Sequence, residues 1–405
     1  MAGMVRRFAV PPGNDRAQVA RGMTNPFQYG NVVAGDAFCN RRAELRDLQR
    51  AAENGEKVFV YSERRLGKTS LIQTVLDSLP PKRFIGVYVD LWPTDSEGSF
   101  AAATARAVSQ AVASTSSKML ATAKLLFTRL VPSVTLDDQG KPSLSFGTAT
   151  PRKAELELEE VLQAPAAIAA REKRRVVVVF DEIQRILDYE SDLVERKLRS
   201  VVQHQAGVCY LFLGSRKHLV QQMFLDKSRP LYRSAGHYPL LPIAEEHWVD
   251  FIRQRFVAAG KRIDADAIRA VCRSTQGHPF YTQHLCHVLW ERAEPQVAVT
   301  EDSIQAAVRV LLERESFAYT TLWESLTAHQ RRFLTGLALE PAGVQPFSSA
   351  FTRRYGLRSA SNAQRASQGL VDKDVIDPED GSFVIVDRFL RLWIRDLRSD
   401  VHQVD

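Results

Sequence analysis

Three short clusters hold residue types suited to a phosphate chain, and each follows an apolar run. The first is Ser62-Glu63-Arg64-Arg65-Leu66-Gly67-Lys68-Thr69-Ser70. It matches the phosphate-cradling pattern GxxxxGK[ST] except that Ser62 stands where the first glycine belongs. In such a loop, backbone N–H groups and a helix N-terminus surround the phosphates, Lys68 neutralises their charge, and the Thr69 hydroxyl ligates Mg²⁺. The second cluster is Asp181-Glu182, directly after Val176-Val177-Val178-Val179-Phe180. Acids at the carboxyl end of a buried strand can hold a metal's water shell and activate an attacking water. Asp181 is therefore assigned to the metal and Glu182 to the general base, although Asp181 alone also suits a helix N-cap. The third cluster is Gly214-Ser215-Arg216, where a hydroxyl and a guanidinium are placed to sense a terminal phosphate, with an N-cap as the alternative for Ser215. Gln184 either orients water or is solvated.

These clusters need a sheet to bring them to one edge. The runs Lys57–Tyr61, Phe84–Leu91, Val176–Phe180 and Val208–Leu213 are apolar on both faces and alternate with helical stretches. That pattern predicts a parallel sheet covered by helices on each side. A long insertion separates the second and third strands. It contains a helical stretch near 96–130, a hairpin around Asp138-Gln139-Gly140-Lys141, and a helix from Ala154 to about Glu172. After Pro242 the spacing predicts helices alone, at about 245–259, 264–275, 279–293 and 301–316. Three further helices (327–339, 347–355, 359–370) and a two-stranded hairpin then follow in winged-helix order, before a last helix at 387–398. The expected division is an extended basic lead-in (1–30), a nucleotide-binding domain (31–242), a helical lid (243–318) and a winged helix (319–405).

The 405 residues are 45% hydrophobic and 25% charged, which excludes disorder and collagen and suggests two to four domains. Cys39, Cys209, Cys272 and Cys286 form no CxxC pair. No charged-apolar-small signal opens the chain and no window of 18 apolar residues occurs, so a cytoplasmic location without a membrane span is expected. His278, His284 and His287 lie near Cys272 and Cys286, but their spacing matches no usual structural zinc pattern. The formal charge is +7, and the first 235 residues hold 34 basic against 25 acidic side chains. Such an excess suits a phosphate ligand, a nucleic acid or solubility.

The combined motifs resemble the archaeal-type ATPases, found also in bacteria, of the STAND branch related to AAA+ proteins. The resemblance covers roughly residues 25–398. It rests on Asn25-Pro26-Phe27, Phe38, Arg41-Arg42-Ala43-Glu44, the 64–71 loop, Asp181-Glu182-Ile183-Gln184, Gly214-Ser215, Pro230-Leu231-Tyr232, Gly277-His278-Pro279-Phe280-Tyr281 and Asp387-Arg388-Phe389-Leu390-Arg391-Leu392-Trp393. It implies an α/β P-loop NTPase with a helical lid and a winged helix, acting on Mg-ATP as a switch. By that similarity Val33, Phe38 and Arg41 would wrap the adenine, and His278-Pro279 would close over the nucleotide. Two departures stand out: Ser62 for glycine, and Asn40-Arg41-Arg42 for the family's Gly-Arg-Glu. A Cβ at position 62 argues for slow turnover.

Arg64, Arg65, Arg229 and Arg233 are the candidates for a cation at the transition state, and a finger supplied in trans would require a homo-oligomer. The recognition helix would expose Asn362, Gln364, Arg365 and Gln368, with Arg353, Arg354 and Arg358 nearby, which suits DNA. The wing carries Asp372, Asp374, Asp377, Glu379 and Asp380, which would repel phosphates there, so packing of the module on the nucleotide domain or on another protein, an unknown client, is the other expectation. The alternative to an ATPase is a nucleotide-gated or DNA-binding regulator with little hydrolysis. No [NT]KxD sequence occurs, which disfavours GTP.

Overall fold

The computed structural model describes residues 24–33, 35, 38–113, 116–136, 142–146, 151–379 and 381–401. Most of the lead-in (1–23), the turn of the expected 138–141 hairpin and Asp380 lie outside the described residues.

The apolar runs form strands for the reason their composition indicates: β-branched and aromatic side chains fill both faces of a covered sheet. In chain order β1 is Lys57–Tyr61, β2 Phe84–Asp90, β3 Pro132–Leu136, β4 Pro142–Phe146, β5 Arg175–Asp181, β6 Val208–Gly214 and β7 Gly236–Pro239. The sheet order is β2-β5-β6-β1-β7, and every neighbouring pair in it is parallel. Alternate residues serve opposite faces. Val176, Val178, Phe180, Tyr210 and Phe212 pack under the insertion helices Glu97–Val112 and Pro151–Glu172. Val177, Val179, Leu211 and Leu213 meet Leu48 of helix Arg42–Asn54 and Leu71, Ile72 and Val75 of helix Lys68–Ser78. Strands β3 and β4 pair antiparallel inside the insertion.

The register does the positioning. Tyr61 pairs with Gly214 and Asp90 with Asp181, so the carboxyl ends of β1, β6, β5 and β2 come level. All three chemical clusters leave the sheet from that edge.

Beyond the sheet come helices Glu245–Ala258, Ala265–Thr275, Pro279–Arg292 and Glu301–Ser325, with the short parallel pair β8 (Arg262–Ile263) and β9 (Ala298–Val299). The fourth helix runs nine residues past the expected end at 316, and it crosses 318 without a break because Ala307, Leu311, Leu312 and Tyr319 continue one buried stripe. The winged helix follows: Ala328–Leu339, Ser349–Arg354, Ala360–Val371, then β10 (Ile376–Glu379) paired antiparallel with β11 (Ser382–Ile385), and helix Arg388–Val401. Ser348 and Ser359 cap their helices by accepting from Phe351 N and Asn362 N. Lid and winged helix share one continuous apolar core, from Trp248 and Phe256 through Leu311 to Phe333, Phe389 and Ile394.

Candidate functional site

Gly67 is the hinge of the phosphate loop. It takes φ 89° as the N-cap of helix Lys68–Ser78, and a Cβ added there would meet no atom within 4 Å. Glycine is thus demanded by the backbone and not by space. Ser62 is different: it is not among the described residues with left-handed backbone, so the first glycine position needs no glycine conformation here. The Ser62 hydroxyl, buried at 3% exposure, accepts from Lys68 Nζ at 2.9 Å, and Lys68 Nζ also reaches Glu63 O at 3.2 Å. Burial pushes the Lys68 ammonium below its usual pKa, while Glu182 and Asp181 act in the opposite sense.

Across the edge, Thr69 Oγ1 donates to Asp181 Oδ2 at 3.0 Å, and the Tyr88 hydroxyl donates to the same oxygen. Asp181 Oδ1 accepts from Glu182 N at 2.9 Å. Burial raises the Asp181 carboxyl above its ordinary range, and these hydrogen bonds oppose that. Glu182 sits in the left-handed region (φ 54°), which turns its carboxylate out of the strand. Ser215 donates to Glu182 Oε2 at 2.7 Å, and Gln184 donates to that oxygen as well. Gln184 is 3% exposed, so it is buried against Glu182 and not solvated. Gly214 makes room: a Cβ there would fall 2.4 Å from Val220 Cγ2 and 3.0 Å from Gln184 Oε1.

The four residues between Ser62 and Gly67 are each held by another part of the molecule. Glu63 bonds Arg388 at 2.7 Å, with side-chain exposures of 11% and 4%. Arg64 pairs with Asp374 at 3.3 Å, and its carbonyl lies 3.0 Å from His278 Nε2. Arg65 lies 4.5 Å from the centroid of the Phe280 ring. Leu66 O accepts from Arg41 at 3.3 Å, and Arg41 also pairs with Glu44 at 2.8 Å. Arg216 meets the same Asp374 oxygen at 2.8 Å. Among the other arginine candidates, Arg229 is bound to buried Glu195 and Arg233 lies over Tyr232.

A cavity of about 740 Å³ opens over this edge. It is lined by Gln28–Val33, Phe38, Arg41, the loop from Arg64 to Ser70, Glu182, Ser215, and Pro279, Phe280 and His284 of the lid. Val33 N donates to Ser70 Oγ at 2.9 Å, which fastens the leading segment to the phosphate loop. Its volume and mixed lining suit a nucleotide.

Residues 38–285, more than half of the chain, match the family described as an ATPase domain predominantly from Archaea. The chain belongs to this ATPase family. Residues 317–396 match a probable winged helix domain. The fold is similar to that of the Walker-type ATPase of Pyrococcus abyssi, at 18% identity and TM-score 0.64, covering 91% of this chain and 99% of that one. It is also similar to the ORC2 protein of Aeropyrum pernix in its ADPNP–ADP complexes, at 14% identity and TM-score 0.53, covering 93% and 98%. At these identities the likeness is one of fold. No curated protein matches the chain.

In this archaeal-type ATPase the oxygens of Thr69 and Asp181 are hard donors that fit Mg²⁺, which takes one or two protein oxygens together with phosphate and water. Among the described residues there is no group of three or more His, Cys, Asp or Glu that could hold a metal ion. The four cysteines are free and buried. No helix among the described residues is long and apolar enough to cross a membrane.

Several contributors escaped sequence reasoning. Tyr88 falls on an unremarkable strand position. Gln28 and Tyr29 fall in the polar lead-in of the sequence, yet Gln28 N donates to Gln283 Oε1 and Tyr29 stacks on His284 at 3.9 Å. The aromatic Phe27 is the signal in the sequence that this segment packs, and it is buried. In the sequence Asp374 is one of several wing acids that would repel phosphates, and Arg388 enters only through the family resemblance; neither shows its partner in the phosphate loop.

Proposed function

We propose that the chain is a Mg-dependent, ATP-binding and ATP-hydrolysing switch of the STAND branch of AAA+-related proteins, working in the cytoplasm. Its nucleotide state is coupled to movement of the winged helix. One observation carries this reading: Glu63, Arg64, Arg65 and Leu66 touch, in turn, the winged helix, the winged helix with the lid, the lid, and the leading segment. A phosphate that reshapes the loop must therefore disturb all three. The shared core and the unbroken helix Glu301–Ser325 support lid and winged helix moving together on the nucleotide domain.

In this reading Lys68 leaves Ser62 and Glu63 O for the β and γ oxygens, and backbone N–H groups from Arg64 to Ser70 surround the phosphates. Thr69 and Asp181 would hold Mg²⁺, which when bound would supply positive charge against the phosphates during transfer. Glu182 accepts the proton of the attacking water, with Ser215 and Gln184 fixing its carboxylate. Val33, Phe38 and Arg41 contact the base end, and Pro279 covers it, braced by His278 against Arg64 O.

The native thiols are buried, and burial pushes those of Cys39, Cys209 and Cys272 up to about 12, so cysteines introduced at exposed positions react selectively. Spin labels at Asp77→Cys and Arg365→Cys should report one distance with ADP and another with ATP in the Glu182→Gln background. An unchanged distance would count against the coupling.

A second reading, contact with DNA, is favoured by one placement. Asp374 and Asp377 of the wing are turned inward, and Arg353, Arg358, Gln364, Arg365 and Gln368 are exposed, although Asp372 and Glu379 stay exposed as well. Duplex binding that weakens with salt and is lost in Arg365→Ala with Arg358→Ala tests it.

A further inference from the structure

Two guanidiniums meet on one carboxylate oxygen, and one of them, that of Arg64, lines the nucleotide cavity. Arg64 approaches Asp374 Oδ2 to 3.3 Å and Arg216 to 2.8 Å. Arg64 comes from the phosphate loop and lines the cavity. Arg216 follows Ser215, which also lines it and holds Glu182. Asp374 comes from the far end of the chain, at the entry to the wing. It is held there by a left-handed backbone (φ 55°) and by its N–H on Val371 O at 2.8 Å. Aspartate tolerates that conformation better than most residues.

We propose that Arg64 and Arg216 form a single anion site that takes either the Asp374 carboxylate or the terminal phosphate of a nucleoside triphosphate. Asp374 is then a built-in stand-in for the γ-phosphate. The inference rests on the nucleotide-switch reading above and adds its chemical trigger. Two like charges converging on one point need an anion between them, and guanidinium planes match phosphate oxygens as well as carboxylate oxygens.

The two ion pairs differ from their neighbour in a way that decides which contact exchanges. The side chains of Arg64, Arg216 and Asp374 are 38%, 31% and 21% exposed, so water screens their attraction and they separate at little cost. Glu63 and Arg388, at 11% and 4%, are buried, and breaking that pair is costly. A triphosphate would therefore pull the wing off Arg64 and Arg216 while Arg388 stays fastened to Glu63. The winged helix would pivot about the buried pair instead of detaching. ADP has no γ-phosphate to offer and would leave Asp374 in place.

The test compares binding of ADP and of a non-hydrolysable ATP analogue to wild type and Asp374→Asn by calorimetry. Removing the competing charge is expected to tighten the analogue about tenfold and to change ADP less than twofold. Adding Arg216→Gln to Asp374→Asn is expected to erase that gain. In the wild type, amide exchange across 372–379 is expected to quicken with the analogue and not with ADP, which carries the test even if the variant fails to fold. Equal changes for both nucleotides, or exchange indifferent to the analogue, would overturn the proposal while leaving nucleotide binding intact. Failure of the wild type to bind either nucleotide would instead remove the reading beneath it.

Discussion

The buried pair between Glu63 and Arg388 joins residues 325 apart in sequence, and its energetics follow from its burial. Burial pushes the Glu63 carboxyl above its usual range, opposed first by Arg388. Arg388 also donates to Ile385 O at 2.6 Å. Changing Arg388 to Met strands a buried carboxylate and should cost about 3–5 kcal/mol. Glu63→Gln, which leaves an acceptor for the guanidinium, should cost about 2 kcal/mol. The two losses overlap, so the double variant should fall about 2 kcal/mol short of their sum. Urea unfolding followed by circular dichroism measures all four proteins. The pH dependence fixes the cause. A carboxyl whose folded pKa is raised destabilises the fold at neutral pH, and that penalty vanishes below the unfolded pKa of about 4.5. The gap between wild type and Arg388→Met should therefore narrow on acidification. Additive losses, coupling below about 0.5 kcal/mol, would refute the view that this pair ties the winged helix to the phosphate loop.

Three further outcomes follow from the same geometry. Gly214→Ala puts a Cβ against Val220 and Gln184 and should cost about 1–3 kcal/mol in unfolding while slowing turnover through the displaced Gln184. Ser62→Ala removes an acceptor of Lys68, worth about 1 kcal/mol, and should tighten ADP about fivefold by calorimetry; weaker binding would contradict the parked-lysine geometry. Burial pushes the His278 imidazole down to about 3, so the unfolded chain binds a proton that the native site refuses between about pH 3 and 6.5. Stability should thus fall by about 2 kcal/mol from pH 7 to pH 5, and His278→Gln should abolish that part of the slope in urea unfolding.

Much of this arrangement could be read from residues alone, for definite physical reasons. Four buried strands are continuous apolar runs, and the three clusters stand at their carboxyl ends because a parallel sheet aligns those ends. Strand β7 escaped notice: Gly236-His237-Tyr238-Pro239 is an exposed edge with little strand propensity, formed because β1 offers it a free side. The pairs Glu63–Arg388 and Asp374–Arg216 were equally invisible. Local spacing holds no information on which acid of a distant wing meets which arginine of a loop, since that depends on how two domains dock. Ser62 taught the opposite lesson. As a letter it is a defect in the pattern, but as a structure it is a buried acceptor for Lys68 on unstrained backbone.

The central claim is that Glu182 activates water over a nucleotide held by Lys68 and Thr69. Steady-state ATP hydrolysis by wild type and Glu182→Gln, beside direct ATP binding, tests it most directly. Turnover lost by at least a hundredfold with ATP affinity kept within about threefold is the predicted result, in line with the usual worth of a general base. Equal turnover in the two proteins, or an ATP affinity that collapses with the substitution, would contradict it.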